Sequence, residues 1–189
     1  MEHLNNMKNI LIIVAHPKEN SLSFAIANKY KEKMQLQNYN VEILDLYRDE
    51  HQQNFFTYNK ANEVEQTSQM KYYQEKISSA NELVFVFPYW WGSFPAILKN
   101  FFDWNLSKGF AFEYVNSRPK GLLLNKTVKV FTTTGAPKFI YMLTGTNRRL
   151  KNMFKQQIVE FCGMKLAEFN IFGGIDTNKE KATNILNNI

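Results

Sequence analysis

Two short, unbroken apolar runs, Ile10-Leu11-Ile12-Ile13-Val14-Ala15 and Leu83-Val84-Phe85-Val86-Phe87, constrain this chain more than any other feature of it. A strand with one wetted face alternates apolar and polar residues. A run that is apolar throughout, rich in β-branched residues and too short for a helix, reads as a strand covered on both faces. After the first run, Leu22, Ile26, Tyr30 and Met34 recur at four-residue steps from Ser21, and the pattern decays in Gln35-Leu36-Gln37-Asn38. Residues 41–46 then supply a second strand and complete a βαβ unit. Residues 47–62 are polar and irregular, and the spacing predicts an amphipathic helix over 63–79 with Met70, Tyr73 and Ile77 inward. Pro88 ends the next strand, and Pro95 can open a helix that runs through Trp104. Strands are expected over 127–132 and 165–172, with a helix at 147–161 between them and a last polar helix at the end. This alternation predicts an α/β fold: a five-stranded parallel sheet with helices on both faces, strand order 2-1-3-4-5, in a single domain spanning residues 1–189.

Composition narrows the function classes. A chain of 189 residues is long enough to bury one full core. The formal charge of +6 permits nucleic-acid binding, but Lys and Arg are scattered and form no dense basic block, so no nucleic-acid partner is expected. Cys162 is the sole cysteine, which excludes an internal disulfide and fits a reducing compartment; its setting at the apolar end of a helix reads as a buried structural thiol. No stretch approaches a membrane-spanning length and the first eight residues are too polar for a signal peptide, so a cytoplasmic location without membrane insertion is expected. His3, His16 and His51 are too scattered to suggest a metal site. The aromatic fraction of 15% is high; a bound planar molecule would use it, and an aromatic-rich core explains it more simply.

With strand order 2-1-3-4-5, the loops after the first, third and fourth strands meet beyond the carboxyl edge of the sheet, where open α/β sheets bind ligands. These loops begin at His16, Pro88 and Thr133. The first, His16-Pro17-Lys18-Glu19-Asn20-Ser21-Leu22-Ser23, carries neither standard glycine-rich phosphate pattern. It crowds Asn20, Ser21 and Ser23 at a helix start instead, where free amides and hydroxyls favour an anion; a plain helix cap by Asn20 or Ser21, with His16 packing locally, is the simpler account of this loop alone. The second, Pro88-Tyr89-Trp90-Trp91-Gly92-Ser93-Phe94-Pro95, sets large aromatics directly after a buried strand, with Gly92 allowing close backbone approach. That suits a planar heterocycle or a subunit interface, and the two are compatible. The third, Thr132-Thr133-Thr134-Gly135-Ala136-Pro137, offers hydroxyls and amides able to steady negative charge, with Tyr141 close behind.

Ala15-His16, the helix start at Ser21 to Ser23, the block from Phe87 to Lys99, Gly109-Phe110-Ala111-Phe112-Glu113-Tyr114, Thr133-Thr134-Gly135 and Phe161-Cys162-Gly163 together resemble the NAD(P)H:quinone oxidoreductase family of flavodoxin-like proteins, which includes bacterial general stress proteins and potassium-efflux ancillary members. The resemblance covers residues 9–174 and is carried most strongly by residues 88–99. It implies a flavodoxin-like fold, a homodimer with the site near the subunit interface, and ping-pong hydride transfer from NAD(P)H through a flavin to a quinone or similar small acceptor. By position, it assigns His16, Ser21, Leu22 and Ser23 to the flavin phosphate, and Tyr89, Trp90, Trp91 and Gly92 to the isoalloxazine. Thr133, Thr134, Gly135 and Ala136 fall at the pyrimidine edge, Phe112 and Tyr114 in the acceptor and nicotinamide pocket, and Tyr141 at the flavin for charge handling.

Asn147 stands where some relatives carry a histidine six residues after that tyrosine. Asn donates a hydrogen bond but does not exchange a proton near neutral pH, so a tyrosine and histidine relay is lost at this catalytic position. Family members use FMN or FAD; FMN is favoured because no separate adenosine-binding feature is visible. The sequence does not choose between NADH and NADPH, for which Arg148 or Arg149 would be the cation near a 2′-phosphate.

Other classes fit less well. A phosphorylatable receiver domain needs acidic residues after the first strand, where Ala15-His16-Pro17 stands, and a hydrolase needs a G-x-S-x-G elbow, which Trp91-Gly92-Ser93-Phe94-Pro95 does not supply. A flavin- or nucleotide-binding regulatory subunit of a membrane transporter would share the fold and is separated from an enzyme only by turnover.

Overall fold

The computed structural model describes residues 7–58, 65–174 and 179–189. Its parallel strands are β1 (Asn9–Val14), β2 (Asn40–Asp45), β3 (Glu82–Pro88), β6 (Thr127–Thr134) and β7 (Lys165–Gly173), and a separate antiparallel hairpin is made by β4 (Phe112–Val115) and β5 (Arg118–Gly121). The sheet order is β2-β1-β3-β6-β7, which is the expected 2-1-3-4-5 once the hairpin strands are set aside. Ile12, Ile13, Val14 and Val84 are wholly buried, as continuous apolar runs demand, and each such side chain contributes about 1.5–3 kcal/mol relative to exposure.

The helices are α1 (Leu22–Gln35), α2 (Ser68–Ser79), α3 (Ala96–Asn105), α4 (Lys138–Leu143), α5 (Thr146–Phe154) and α6 (Lys179–Asn187). Because strand side chains alternate, one face of the sheet presents Ile10, Ile12, Val14, Val84, Val86 and Phe131 to Ile26, Ala27, Tyr30 and Met34 of α1, with Ile185 and Leu186 of α6 packing alongside. The other face presents Leu11, Ile13, Phe85, Phe87, Val128 and Val130 to Tyr73, Ile77, Leu98, Phe101, Phe102 and Phe154. Phe154 is the hub of that second core: its ring lies 5.5 Å from Phe85, 5.9 Å from Phe102, 6.0 Å from Phe87 and 6.1 Å from Phe94 and Phe169. Much of the high aromatic content is therefore core, and it forms a stiff bed beneath the loop that follows β3.

Several boundaries differ from the sequence expectation. Helix α2 begins at Ser68 and not at Glu63, because Thr67 caps it by accepting from the Met70 amide at 3.1 Å; Glu63 itself lies outside the described residues. Strand β6 runs on to Thr134, so Thr133 and Thr134 are buried strand residues and not the start of a loop. The hairpin was not anticipated. Its turn uses Asn116 and Ser117 at φ 51° and 61°, the left-handed pair that a tight hairpin needs. The helix expected over 147–161 is α5 followed by a wider π-helical segment, Lys155–Glu160, whose exit is closed by the Met164 amide donating to the Val159 carbonyl at 3.0 Å. Gly121 and Gly163 then meet backbone to backbone: a Cβ on Gly121 would lie 2.1 Å from the Gly163 nitrogen. This contact, with the Leu123 amide on the Cys162 carbonyl at 2.9 Å, anchors the hairpin to the end of that helix.

Candidate active site

Three loops meet at the carboxyl edge of the sheet. The His16 and Trp90 rings stand 5.8 Å apart, the Tyr89 amide donates to the Thr133 carbonyl at 2.7 Å, and the Tyr89 and Tyr141 rings meet edge to face at 5.4 Å. The Thr134 hydroxyl donates to the Tyr141 phenol oxygen at 2.9 Å, which leaves the phenol's own proton to face outward. The structure thus brings together His16, Tyr89, Trp90, Trp91, Gly92, Thr133, Thr134 and Tyr141, with Gly135 and Ala136 following directly after β6.

In the first loop Ser21 is the N-cap of α1, its hydroxyl accepting from the Phe24 amide at 3.4 Å, so the simple capping account holds for Ser21. Ser23 is another matter. It is buried, and its hydroxyl has no hydrogen-bond partner among the described residues. A buried orphan hydroxyl costs about 1–3 kcal/mol, and its place in the first turn of α1 is where helix amides favour an anion. The His16 Nδ1 lies 3.0 Å from both the backbone nitrogen and the backbone oxygen of Lys18, which leaves Nε2 to face a ligand. Burial lowers the His16 pKa below the usual 6.5, and the nearby Arg48 and Lys18 charges lower it further, so the ring is neutral at pH 7.

Sequence reasoning missed Arg48. Its guanidinium pairs with Asp45 at the end of β2 at 2.7 Å, donates to the Pro17 carbonyl and lies 5.5 Å from the Phe24 ring centre. It therefore ties the first loop and the start of α1 to the neighbouring strand. An arginine three residues beyond a strand carries no recognisable pattern in one dimension; only the sheet order puts β2 beside β1.

The second loop is a tight turn. The Trp90 amide donates to the Ser93 carbonyl at 3.0 Å and the Ser93 amide to the Trp90 carbonyl at 2.9 Å, with Trp91 and Gly92 between them at φ 51° and 78°. Both central residues are left-handed, which Gly92 tolerates and a tryptophan does not without strain. Trp91 is fully exposed, so core packing does not hold it there. The turn consumes the flanking amides and, among the described residues, leaves those of Trp91 and Gly92 without a backbone partner.

Tyr89, Trp91, Gly92 and Tyr141 line a cavity of about 570 Å³ together with Thr146 and Arg149. Asn147 is half-buried in the same first turn of α5 but is not among the residues lining it. Phe112 and Tyr114 are not brought to this cavity either. Phe112 lines a separate hollow of about 1000 Å³ with Phe56, Met70, Phe102 and Phe110, and Tyr114 sits exposed on the hairpin, 5.7 Å from the Phe112 ring. Cys162 is buried and its thiol is pushed up to about 12 by burial, as a structural and not a nucleophilic cysteine requires.

An orphaned hydroxyl at a helix start, unspent amides on a strained turn and a polar strand end, all at the carboxyl edge of the sheet, fit a molecule with an anionic tail and a flat polar-edged ring, which describes a flavin mononucleotide. Among the described residues no group of three or more His, Cys, Asp or Glu side chains could hold a metal, and no helix is long and apolar enough to cross a membrane. Comparison with known proteins points the same way. The family described as flavodoxin-like fold matches residues 8–188. The chain is 33% identical over 181 residues to an uncharacterized NAD(P)H oxidoreductase of Haemophilus influenzae, covering 92% of this chain and 88% of that one. It is 29% identical to an FMN-dependent NADH:quinone oxidoreductase of an Exiguobacterium species, covering 84% and 80% of the two chains. The solved NAD(P)H:quinone oxidoreductase of Methanothermobacter marburgensis superposes with a TM-score of 0.81 at 22% identity, covering 95% and 93%, and shows the same fold. The chain belongs to the flavodoxin-like-fold family, in which its relatives are named as NAD(P)H oxidoreductases and quinone oxidoreductases.

Proposed function

We propose that this chain binds FMN and, as an NAD(P)H oxidoreductase, reduces a quinone or similar small acceptor by two electrons. The observation that carries the reading is that the buried, unpartnered Ser23 hydroxyl, the strained Trp91-Gly92 turn and the Thr134–Tyr141 pair all belong to the carboxyl end of the sheet, at or just beyond β1, β3 and β6. The chemistry that FMN supplies when bound is reversible hydride exchange, so donor and acceptor visit the same site in turn, a ping-pong order.

In this reading the Ser21, Leu22 and Ser23 segment and His16 hold the phosphate, while Arg48 fixes their loop. The Trp91 and Gly92 amides meet the ring's polar rim, with Tyr89 and Trp90 at its side, and the Thr133 to Ala136 backbone steadies charge at the pyrimidine edge. Tyr141, accepting from Thr134, turns its own O–H toward the site as a proton donor. Asn147 contributes a hydrogen bond at most. FMN is preferred to FAD because the Exiguobacterium relative is named as FMN-dependent.

A homodimer is part of the proposal. Phe112 and Tyr114 are not among the described residues that line the Tyr141 cavity, and Trp90, Trp91, Tyr114, Phe139 and Leu143 are exposed apolar side chains of the kind a subunit contact covers. A second copy would supply the acceptor-pocket aromatics. The single flavin-binding domain is placed in the cytoplasm on the strength of the lone reduced cysteine.

The test is an absorption spectrum of the flavin-loaded protein before and after anaerobic addition of NADH or NADPH, followed by steady-state assay with a quinone. Bleaching of the flavin bands and sustained turnover are expected. Flavin that binds without bleaching or turnover, together with association with a transport protein, would identify a regulatory subunit instead.

A further inference from the structure

The cavity lined by Tyr89, Trp91, Tyr141, Thr146 and Arg149 has an uneven electrostatic character. Among the described residues no Asp or Glu lines it, and Arg149 is the only Lys or Arg that does. The guanidinium is held in place: one N–H donates to the Thr144 carbonyl at 3.0 Å, and the Arg149 amide donates to the carbonyl of Gly145, whose φ of 70° sets the start of α5. Arg149 is exposed, and among the described residues no carboxylate stands within ion-pair distance of it, whereas Arg48 at the neighbouring loop is paired with Asp45. An arginine has five N–H donors in a rigid fork, so most of the fork remains available toward the cavity. Its field already reaches the aromatic floor: burial and Tyr141 raise the Tyr89 phenol, and Arg149 opposes them.

We infer that Arg149 makes this site selective for molecules that carry an acidic group beside their reacting ring or chain, binding that group as a carboxylate, sulfonate or phosphate. The inference rests on the redox reading above and names its substrate class. The acidic group has two sources with one chemistry, the 2′-phosphate of NADPH or an acid substituent on the acceptor. A charge-assisted, forked contact in a partly enclosed cavity is stronger than its neutral counterpart and strengthens as salt is removed.

The experiment uses the full chain loaded with FMN and compares wild type with Arg149→Gln, Arg149→Lys and Arg148→Gln. Specificity constants are measured for two matched pairs, 1,4-naphthoquinone with its 2-sulfonate and NADH with NADPH. Arg149→Gln should lower the charged-to-neutral ratio in at least one pair by about tenfold, equivalent to about 1.4 kcal/mol. The pair that responds names the source, and a response in both means that donor and acceptor use the same contact in turn. Arg149→Lys should recover part of the ratio, and Arg148→Gln, which removes the same charge from outside the cavity lining, should change it less. Ratios within about threefold of wild type in both pairs, or an equal effect of Arg148→Gln, would overturn the inference. A binding arm needs no turnover: quenching of tryptophan fluorescence by 2-naphthalenesulfonate and by 2-naphthol should show the sulfonate losing about tenfold relative to the naphthol in Arg149→Gln, and an equal change in both would overturn it. Absence of turnover with any pair would count against the redox reading alone, because the binding arm still decides the inference.

Discussion

The two ends of the sheet are built to opposite rules. At the amino edge, polar groups are matched: Tyr30 donates to Glu82 at 2.6 Å, Lys129 donates to Tyr30 at 2.7 Å, and Thr127 donates to Glu82 at 3.3 Å. Lys126 donates to the carbonyls of Ser78 and Ala80 nearby. At the carboxyl edge, the Ser23 and Thr132 hydroxyls are buried without partners among the described residues, and a fully exposed tryptophan is held in left-handed backbone. Satisfied polar networks add rigidity, while unsatisfied and strained groups persist where a ligand repays them. The difference locates the site more firmly than cavity size, since the larger hollow around Phe56 and Phe102 lies elsewhere.

Substitutions should separate the two ends. Lys129→Met removes one member of a mostly buried network and leaves Glu82 and Tyr30 short of a partner; denaturant unfolding should show a loss of about 2–3 kcal/mol, with flavin affinity following only through folding. A loss of flavin at unchanged stability would break the contrast. The amino edge should also fail first in alkali. Burial, then Glu82, holds the Tyr30 phenol well above its usual 10.0, so the folded state keeps a proton that the unfolded chain releases. The stability this contributes is complete below pH 10 and is lost as pH rises beyond it, by up to about 1.4 kcal/mol per pH unit. Tyr30→Phe should flatten that decline in thermal or urea unfolding followed across pH.

At the carboxyl edge the signs reverse. Ser23→Ala should leave the flavin-free protein equally stable or up to about 1 kcal/mol more stable, while weakening FMN binding about tenfold. A destabilised Ser23→Ala protein would mean that the hydroxyl already has a structural partner. The smallest effect is expected from Trp91→Gly, which removes the cost of left-handed backbone and should raise stability by about 1 kcal/mol in the flavin-free state. A fall in stability would show that the indole packs on its own chain.

Much of this was legible in one dimension, because the information was local. Unbroken apolar runs announce doubly covered strands, and the strand order then gathers His16, Tyr89 and Thr133 without further data. Boundaries were less legible where tertiary contacts set them. The Asn116-Ser117 turn lacks the usual glycine, so the hairpin left little trace, and the π-helical segment at Lys155–Glu160 contains neither glycine nor proline to mark it. Arg48 is the clearest omission from the expected site, and Arg149 was named only as one of two candidate cations for a 2′-phosphate. Each arginine is distant in sequence from the loop it serves, Arg48 reaching the Pro17 carbonyl and Arg149 sharing a cavity wall with Tyr89 and Tyr141. Phe112 and Tyr114 were identifiable as part of a motif, yet within one chain they do not line the cavity that Tyr141 lines, a gap that the proposed second copy would close.

The central claim, that the unsatisfied carboxyl edge is a flavin site, is tested most directly by titrating ligand-free protein into FMN and following flavin fluorescence. The account predicts quenching that saturates at one FMN per chain with a dissociation constant of about micromolar or below, and a roughly tenfold weaker curve for Ser23→Ala. A protein shown by circular dichroism to be folded that leaves FMN fluorescence unchanged at about 100 micromolar would contradict it.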